Sequence, residues 1–525
     1  MVATSTLKVN VYVDWNNDGD FDDLNDSITS DILELSFQRG RDYASQLNGK
    51  SVAGKLTIRL ENDTAKYSPD NSSSVLFGSL LPARKVEVRG VVGTYNTFPY
   101  TFPFTFNNLT ETVLWSGYLD RITPKPSPHG VDTAEIVVFG VLGYLNDFIP
   151  TLTSQTNIRT DQAISSILAD VNFSDTTLAT GQTTLTRYWT DGVKTLNAMR
   201  DVEEVEAGFI KEGRDGKVVF ESRDTRINSP YNTSQATFSD AGGATNSYTT
   251  VRQEDPLSTI TNHVEASSRT YTVNSIAVLW THPETGTSSP ALQPNESITV
   301  EANFPNSTSA NNALEVDTWT TPVSTTDVVA NSASNGSGTN LTSSIGISAT
   351  KTATRMSITL TNNHTTTTAY LTKVQARGTA VISNDPVIVK AVDSTSQASY
   401  GERKYVAESE FFPSSTNAQL WCDYHNSVFG SPLAILTMSV NANQSDAVQT
   451  QVLARDISDR ITVVANNNSG LGINADFFIE SIRHVVKRGA LDHTVTYKLS
   501  PATGGYSQFW LLGTGKLGTS TVPSF

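Results

Sequence analysis

The chain has 525 residues, 17% of them charged, and a formal net charge of −15 from 37 Lys and Arg against 52 Asp and Glu. This length exceeds what one hydrophobic core organises and predicts three or four domains, while the acidic balance argues against a protein that wraps nucleic acid. Cys422 is the only cysteine, which excludes an internal disulfide and a cysteine metal cluster. The N-terminus lacks a basic-then-apolar leader and no run approaches the roughly 18 apolar residues of a membrane span, so we expect a soluble protein made in the cytoplasm.

The first predicted strand, Leu7–Val13, leads directly into an acidic loop. Oxygen-bearing side chains alternate along this loop at Asp14, Asn16, Asp18, Asp20 and Asp22. Gly19 stands where a calcium loop turns sharply, and alternate oxygens converge when such a loop curls around a hard cation. The flanks are strand-like and the twelfth position is Asn25 rather than Glu, so the loop is not an EF-hand. A Ca²⁺ site and an acidic hairpin turn without metal both stay open.

The next stretch, from Ile32 to Arg89, alternates strands with turns. Ile32–Phe37 fits a half-buried strand that runs into Arg39-Gly40-Arg41. Leu56, Ile58 and Leu60 alternate with polar residues, which predicts a second strand with one wet face. Tyr67–Asp70 has turn chemistry, and Lys85–Arg89 is a third alternating run.

The order of these pieces resembles the minor tail proteins of long-tailed bacteriophages, and more narrowly the proteins that form the hub of the tail tip. The pieces are a strand, Arg-Gly-Arg, small residues, a strand ending in Leu-x-Asn-Asp, a Tyr-Ser-Pro-x-Asn turn, and Leu-x-Pro-x-Arg-x-Val-x-Val-Arg. No single piece is specific, so the ordered set carries the resemblance. The plainer interpretation, that these are strands and turns of some β domain, is compatible with it because a hub protein is a structural β protein.

Two further strands, Leu114–Ile122 and Ala134–Val141, predict a hairpin that completes an N-terminal β domain at 1–150. The aromatic, Pro-interrupted segment Tyr95–Leu109 is predicted as a loop or extended hairpin that reaches toward a neighbour. A helical period then appears after Thr160 and again in Val193–Glu206, which predicts a small α+β subdomain at 151–227.

Residues 228–273 are predicted as a connecting β segment. From 274 to 378 the composition shifts abruptly, since Lys and Arg nearly vanish up to Thr350 while Asn, Ser and Thr rise. This shift and the strands within it predict an inserted, jelly-roll-like β-sandwich. The sandwich is either a spacer without a ligand or a glycan-binding module with Trp280 and Trp319 as candidate contacts.

Residues 379–525 are predicted as a C-terminal β domain. Its features are the turn Ala398–Arg403, a helix at Ser414–Ser427 and strands at Phe477–Val485 and Thr494–Leu499. The turn and the closing segment Trp510–Gly518 also resemble the tail family. A weak internal echo is visible here, because Gly117–Ile122 and Phe478–His484 are both mixed strands followed by a turn and an alternating strand.

Catalytic patterns are missing from the sequence. The seven histidines have no ligand spacing, no nucleophile elbow is present, and the glycine pattern Gly513–Gly518 has no room for the acid that a dinucleotide site needs. Cys422 is predicted to be packed on a helix beside Trp421. Glu203, Glu204 and Glu206 are predicted as a solvated helix face rather than a glycosidase pair. We therefore expect no enzyme activity.

The resemblance implies a mainly β, multidomain fold with two tail-tube-like β-barrel domains, a small helical α+β subdomain and the inserted sandwich. It implies a structural component of the virion tail tip that closes or continues the tail tube and anchors host-recognition parts. The implied partners are two further copies in a homotrimer with pseudo-six-fold symmetry, the distal tail protein ring, the tape-measure protein, and receptor-binding or other tail-tip proteins. Genomic DNA would only pass through, which suits an acidic conduit.

Two other classes stay open from the sequence. One is a tail adhesin that binds a host surface glycan through the 274–378 sandwich. The other is a cell-wall hydrolase, which the missing nucleophile and metal motifs disfavour. Ca²⁺ is the one cofactor that the sequence suggests, and only through the acidic loop.

Overall fold

The fold is given by a computed structural model that describes residues 6–41, 50–92, 110–127, 130–283, 288–467, 470–487 and 492–502. Strands dominate the described residues, and six α-helices are distributed among them. The buried apolar side chains form four separate clusters, which sets the number of structural units. No helix in the described ranges is long and apolar enough to cross a bilayer.

The first unit is a six-stranded antiparallel sheet. Its strands are β1 (Lys8–Val13), β2 (Ile32–Arg41), β3 (Ser51–Glu61), β4 (Lys85–Val92), β5 (Thr110–Lys125) and β6 (Thr133–Phe139), in the spatial order β1-β4-β5-β6-β3-β2. The alternation in the sequence sets which face is buried. In β3, Leu56, Ile58 and Leu60 have no exposed surface, whereas Arg59 between them faces solvent.

The chain then forms the helical unit. Its first elements are α1 (Val141–Leu145), β7 (Leu152–Arg159), α2 (Thr160–Asp170), β8 (Thr176–Leu178), β9 (Thr184–Thr190), α3 (Thr195–Glu206), β10 (Phe209–Glu212) and β11 (Val218–Glu221). Both predicted helices are present, as α2 and α3, and each turns its apolar side chains into the same cluster. The next two short strands, β12 (Thr237–Ser239) and β13 (Thr250–Glu254), lie outside this unit, whereas β14 (His263–Ser268) packs in its core.

An inserted sandwich follows β14. Its strands are β15 (Tyr271–Val273), β16 (Ala277–His282), β17 (Ala291–Leu292), β18 (Ser297–Asn303), β19 (Ala313–Trp319), β20 (Val328–Asn331), β21 (Ile345–Lys351), β22 (Arg355–Asn362) and β23 (Ala369–Ser383). The long strand β23 pairs with five strands to make one sheet, and β18-β22-β21 make the other. The two sheets enclose their own apolar cluster.

The chain leaves the sandwich next to the point where it entered. The N–H of Asn384 donates to the carbonyl of Thr270 over 2.9 Å. The next strand, β24 (Val387–Val392), pairs with β14, so the two ends of the insertion are neighbours in one small sheet. After β24 come α4 (Ser394–Tyr400), β25 (Lys404–Val406) and α5 (Ser415–Phe429). Trp421 and Cys422 of α5 complete the core of the helical unit.

The last elements are β26 (Ile435–Asn441), α6 (Asp446–Ala454), β27 (Arg460–Ala465), β28 (Ile473–Lys487) and β29 (Asp492–Pro501). With β12 and β13 they form a second six-stranded arrangement in the order β12-β27-β28-β29-β26-β13. When the strands of each half are numbered from one to six along the chain, both halves have the same spatial order, 1-4-5-6-3-2. One pairing differs, because β12 runs parallel to β27 whereas β1 is antiparallel to β4. The internal echo in the sequence is thus part of a complete topological repeat.

The two halves are not separate bodies. Strand β2 of the first half pairs with β28 of the second, so the two halves, which correspond to the two predicted barrel domains, are connected in one twelve-stranded sheet. Three segments lie elsewhere than predicted. The strands within 237–254, predicted as a connector, complete the second half. The sandwich spans 271–383 rather than 274–378. Residues 384–430, predicted within the C-terminal domain, pack in the helical unit. The predicted loop Tyr95–Leu109 and the segment Trp510–Gly518 lie outside the described residues.

The insertion geometry generates a prediction. Replacing 271–383 with an Asn-Gly linker should join Thr270 to Asn384 by a two-residue turn and leave β14 paired with β24, because Thr270 and Asn384 are already hydrogen-bonded to each other. We expect the shortened chain to unfold in one cooperative thermal transition and to elute as a compact species. The same linker in place of 384–430 should abolish folding, since that deletion removes α5 from a core. A shortened chain that aggregates or loses its near-ultraviolet signal would show that the sandwich supports the main core.

Candidate assembly site

The joint between the two halves depends on the length of β28. One edge of this strand pairs with β29 along most of its length, and the other edge is shared. Its first residues pair with β27, while Ser481–Lys487 pair with β2. Phe37 stacks on the His484 ring at 4.4 Å, and Lys487 lies 3.0 Å from Glu34. The sheet therefore crosses from one half to the other without a break.

A buried ion cluster lies beside this joint. Glu480 is 1% exposed, and its carboxylate accepts hydrogen bonds from Arg226 at 2.6 Å and Ser500 at 2.6 Å and forms an ion pair with Arg41 at 2.8 Å. Burial alone would raise the pKa of Glu480, but Arg226 and Arg41 hold it at about 2. These partners come from the first half, the helical unit and the second half, so one carboxylate connects three units.

The Arg-Gly-Arg tripeptide supplies the first half's side of the joint. Arg39 pairs with Asp456 and Arg41 pairs with Glu480. Gly40 between them has φ +114°, and a Cβ there would lie 2.2 Å from the Glu480 carbonyl oxygen. The tripeptide thus combines two cations with a close backbone approach that only glycine allows.

The repeat extends to local geometry. Ala83 and Ser458 precede β4 and β27, and both have positive φ, at 62° and 77°. Ala83 donates to the Leu119 carbonyl at 2.7 Å, and Ser458 donates to the Ile479 carbonyl at 2.8 Å. A bulge follows each acceptor, between Leu119 and Arg121 and between Ile479 and Ser481. These matches fix the correspondence of β5 with β28 residue by residue.

Among the strand edges without a partner in the described residues, two belong to β5 and β13. Residues 120–125 of β5 pair with β6 on one side, and no described strand pairs with the other side. Strand β13 pairs with β26 alone, and most of its side chains are exposed. By the repeat, these edges are the counterparts of the β28 and β2 edges that meet at the internal joint.

Three acids on α3 are buried, so the predicted solvated face is wrong. Glu203, Glu204 and Glu206 are 5%, 6% and 0% exposed. Glu203 accepts from the Ile210 N–H, Glu204 from the backbone of Glu408 and Ser409, and Glu206 from Thr183 N–H. The helix therefore connects surrounding segments through carboxylates that saturate backbone donors. The spacing of these acids contained no signal that separated this role from a wet face.

Glu212 on β10 connects the helical unit to the first half. It accepts from the N–H groups of Gly54 at 2.9 Å and Leu142 at 3.0 Å. Burial raises the pKa of Glu212 to about 7, more than the two backbone donors and Arg39 lower it. A Cβ at Gly54 or Gly140 would lie 2.2 Å from this carboxyl, so Glu212 would have to shift if either glycine gained a side chain.

The scattered histidines give one structural pair. Nδ1 of His484 lies 2.9 Å from Nε2 of His493, and both side chains are buried at the joint. Burial lowers the pKa of both, with His493 at about 4. The pair is neutral near pH 7, which suits packing against Phe37 rather than proton transfer.

The acidic loop forms a turn closed by its own first residue. The Asp14 carboxylate is buried and accepts from the N–H groups of Asp18 at 3.1 Å and Gly19 at 3.0 Å. Asn16 donates to Asp18 at 2.7 Å, and Asp20 accepts from Asp22 N–H at 3.2 Å. The hydrogen bond that protonated Asp22 can donate to the Asp20 carboxylate raises the pKa of the exposed Asp22. Among the described residues no group of three or more His, Cys, Asp or Glu side chains is arranged to hold a metal, so the Ca²⁺ site stays a prediction.

Other candidates fit structural roles. Cys422 is fully buried, and burial raises its pKa to about 12, as expected for a packed thiol. Trp319, a candidate glycan contact, is buried and donates to the Thr352 carbonyl at 2.9 Å, so it cannot present its ring to a sugar. Trp280 is half-buried and stacks on His282.

The fold is similar to that of solved tail proteins. The chain aligns with a tail protein from Neisseria meningitidis at TM-score 0.50 and 10% identity, over 96% of this chain and 98% of that one. It also aligns with the 43 kDa tail protein of a prophage from Shewanella oneidensis at TM-score 0.46 and 9% identity, over 94% and 98% of the two chains. A prophage tail protein from Listeria monocytogenes aligns at TM-score 0.41 and 9% identity, over 94% of each chain. No protein-family model matches the sequence, and no curated protein matches it.

The joint predicts an outcome for Gly40→Ala. Left-handed backbone alone costs an alanine about 1–2 kcal/mol, and overpacking adds roughly 1–3 kcal/mol where the neighbour is backbone. Gly78→Ala is the matched control, because its φ is +81° and a Cβ there meets nothing within 4 Å. Denaturant unfolding should therefore show a larger loss for Gly40→Ala than for Gly78→Ala. Equal losses would mean that the β2·β28 approach does not constrain the fold.

The acidic loop predicts a metal effect. If it binds Ca²⁺, calcium should raise the melting temperature of the chain and EDTA should reverse the rise, because bound cation relieves the repulsion between neighbouring carboxylates. Asp18→Asn should remove the effect, whereas Asp70→Asn, at an exposed residue outside the loop, should leave it intact. A melting temperature indifferent to calcium would leave the acidic turn as the correct interpretation.

Proposed function

We propose that this chain is a structural component of a bacteriophage tail tip, in the position of the hub that continues the tail tube. The observation that carries the proposal is the repeat, in which two topologically equivalent half-sheets are joined edge to edge within one chain. The likeness of the fold to a solved tail protein supports the same assignment. The protein acts by assembly and by holding other parts, in the tail of the virion.

The repeat gives this role its mechanism. One chain presents two equivalent half-sheets in sequence, so three chains present six. A trimer of such chains can form a closed ring that meets a six-fold tube without a mismatch of symmetry. The partners are therefore two further copies, a distal tail ring above and the tape-measure protein within. Receptor-binding or other tail-tip proteins attach outside, and genomic DNA passes through during ejection.

The buried polar groups support a role without bond chemistry. The acids of α3 and Glu480 are saturated by backbone donors and arginines, and Cys422 is buried within a core. The sandwich is proposed as a spacer, because the buried position of Trp319 removes one of its two candidate glycan contacts.

Two measurements test this proposal. The purified full chain should have a mass near three times its 56.7 kDa by light scattering, because the ring closes at three copies. Gold-labelled antibody against the sandwich should mark one end of the tail in particles from the source phage or prophage. A ring of six copies, or label along the tail or on the capsid, would overturn the proposal.

A further inference from the structure

The internal joint shows which residues a neighbouring copy would meet. Through the repeat, β13 corresponds to β2 and β5 corresponds to β28, with Gln38 matching Glu254 and Arg483 matching Thr123. Gln38 and Arg483 face each other at the internal joint. The same relation carried to the open edges places Glu254 of one copy opposite Thr123 of the next.

We propose that the sheet continues between copies of this chain, with β13 of one copy pairing with residues 120–125 of β5 in the next. This inference rests on the proposed ring and names the surfaces that close it. Both edges are free of other strands in the described residues, and backbone N–H and C=O groups on a strand edge are ready to pair. Pro124 and Pro126 lack the N–H of a ladder, so the contact is centred on Thr123.

A second surface follows from the connection between the third and fourth strands of each half. In the second half this connection is 442–459, and it packs across the joint. A Cβ at Gly90 of the first half would lie 2.6 Å from Leu453, and Leu453 packs against the apolar clusters of both halves. Asn443 accepts from Leu7 N–H at 2.8 Å, and Asp456 pairs with Arg39. The connection thus covers the neighbouring half-sheet.

The equivalent connection in the first half, 62–84, packs on its own half-sheet and covers no second half-sheet among the described residues. Val75, Phe77 and Leu81 are 70%, 54% and 48% exposed, while Leu76 and Leu80 between them are buried in the first half's core. A cluster of large exposed apolar side chains marks a contact surface. By the repeat, this cluster lies on β27 and β28 of the preceding copy, where Leu471 is also exposed.

The charges fit a pairing centred on Thr123. Glu254 opposite Thr123 lies diagonally between Arg121 and Lys125, whose side chains are 57% and 52% exposed. Arg252 falls opposite Lys125, but each already has an acidic partner, Glu254 and Glu135 respectively.

A cysteine cross-link tests the register. The double variant Glu254→Cys, Thr123→Cys should give covalent trimers on a non-reducing gel after mild oxidation, and each single variant should give none. The matched control is Gln38→Cys, Arg483→Cys, the same pair of positions at the internal joint, which should oxidise without any change in chain number. The one native cysteine, Cys422, is buried and does not interfere.

A second pair of variants tests the apolar surface. Val75→Ser, Phe77→Ser should weaken association at least tenfold by analytical ultracentrifugation with an unchanged melting temperature of the separated chain. Val387→Ser, Ile388→Ser, an equally exposed apolar pair on β24, should leave association unchanged. A trimer that gives no cross-link, and whose association is unchanged by Val75→Ser, Phe77→Ser, would overturn this inference and leave the proposed ring in place. A chain that stays monomeric throughout would overturn both.

Discussion

The structure depends on a single strand that is too long for its own half. Strand β28 has room for β27 and for β2 on one edge, and this length turns two half-sheets into one sheet. Two costly features of the fold lie where those two partners meet. The positive φ of Gly40 and the buried charges around Glu480 are both found there. Breaking one partner of such a cluster leaves an unpaired buried charge, so the units are coupled far more strongly than their separate cores suggest.

The helical unit makes this coupling rigid. Arg226 reaches Glu480 from one side, Glu212 holds the backbone of β3 and α1, and the acids of α3 hold segments that are distant in sequence. The sandwich is attached differently. Its two chain ends meet at one small sheet, and Arg187 joins it to the helical unit through Asp317 at 2.8 Å and the buried Glu315. A rigid core with a laterally attached module suits a part that must hold a ring while carrying something outside it.

Strand positions in the first half could be predicted well, because alternation directly reports a sheet with one buried face. Leu56, Ile58 and Leu60 are an example. Helices α2 and α3 were also visible from their period. Strand pairing and side-chain contacts between segments far apart in the sequence could not be predicted. Strand β13 looks like connector, since its pairing with β26 leaves its side chains exposed. The acids of α3 carry the composition of a wet surface, and only the backbone donors of distant segments bury them. The sequence identified the Arg-Gly-Arg tripeptide only as part of the family resemblance. Its position at the joint became visible only with the structure, which places it against the bulge at Glu480.

The internal joint and the proposed joint between copies differ in chemistry, and the difference has a physical reason. The internal joint forms once, during folding, so buried arginine–carboxylate pairs can be desolvated as part of one cooperative transition. A joint between folded chains must be desolvated on association, where burying charge gains little over apolar contact. The repeat shows this substitution. The bulge acid Glu480 is matched by the more exposed Asp120, and the position matching Arg41 is Leu257, which is 46% exposed. Val75, Phe77 and Leu81 add apolar area on the same side. In the proposed pairing, the two edges that would meet between copies thus keep the geometry of the internal joint and carry fewer buried charges and more apolar surface.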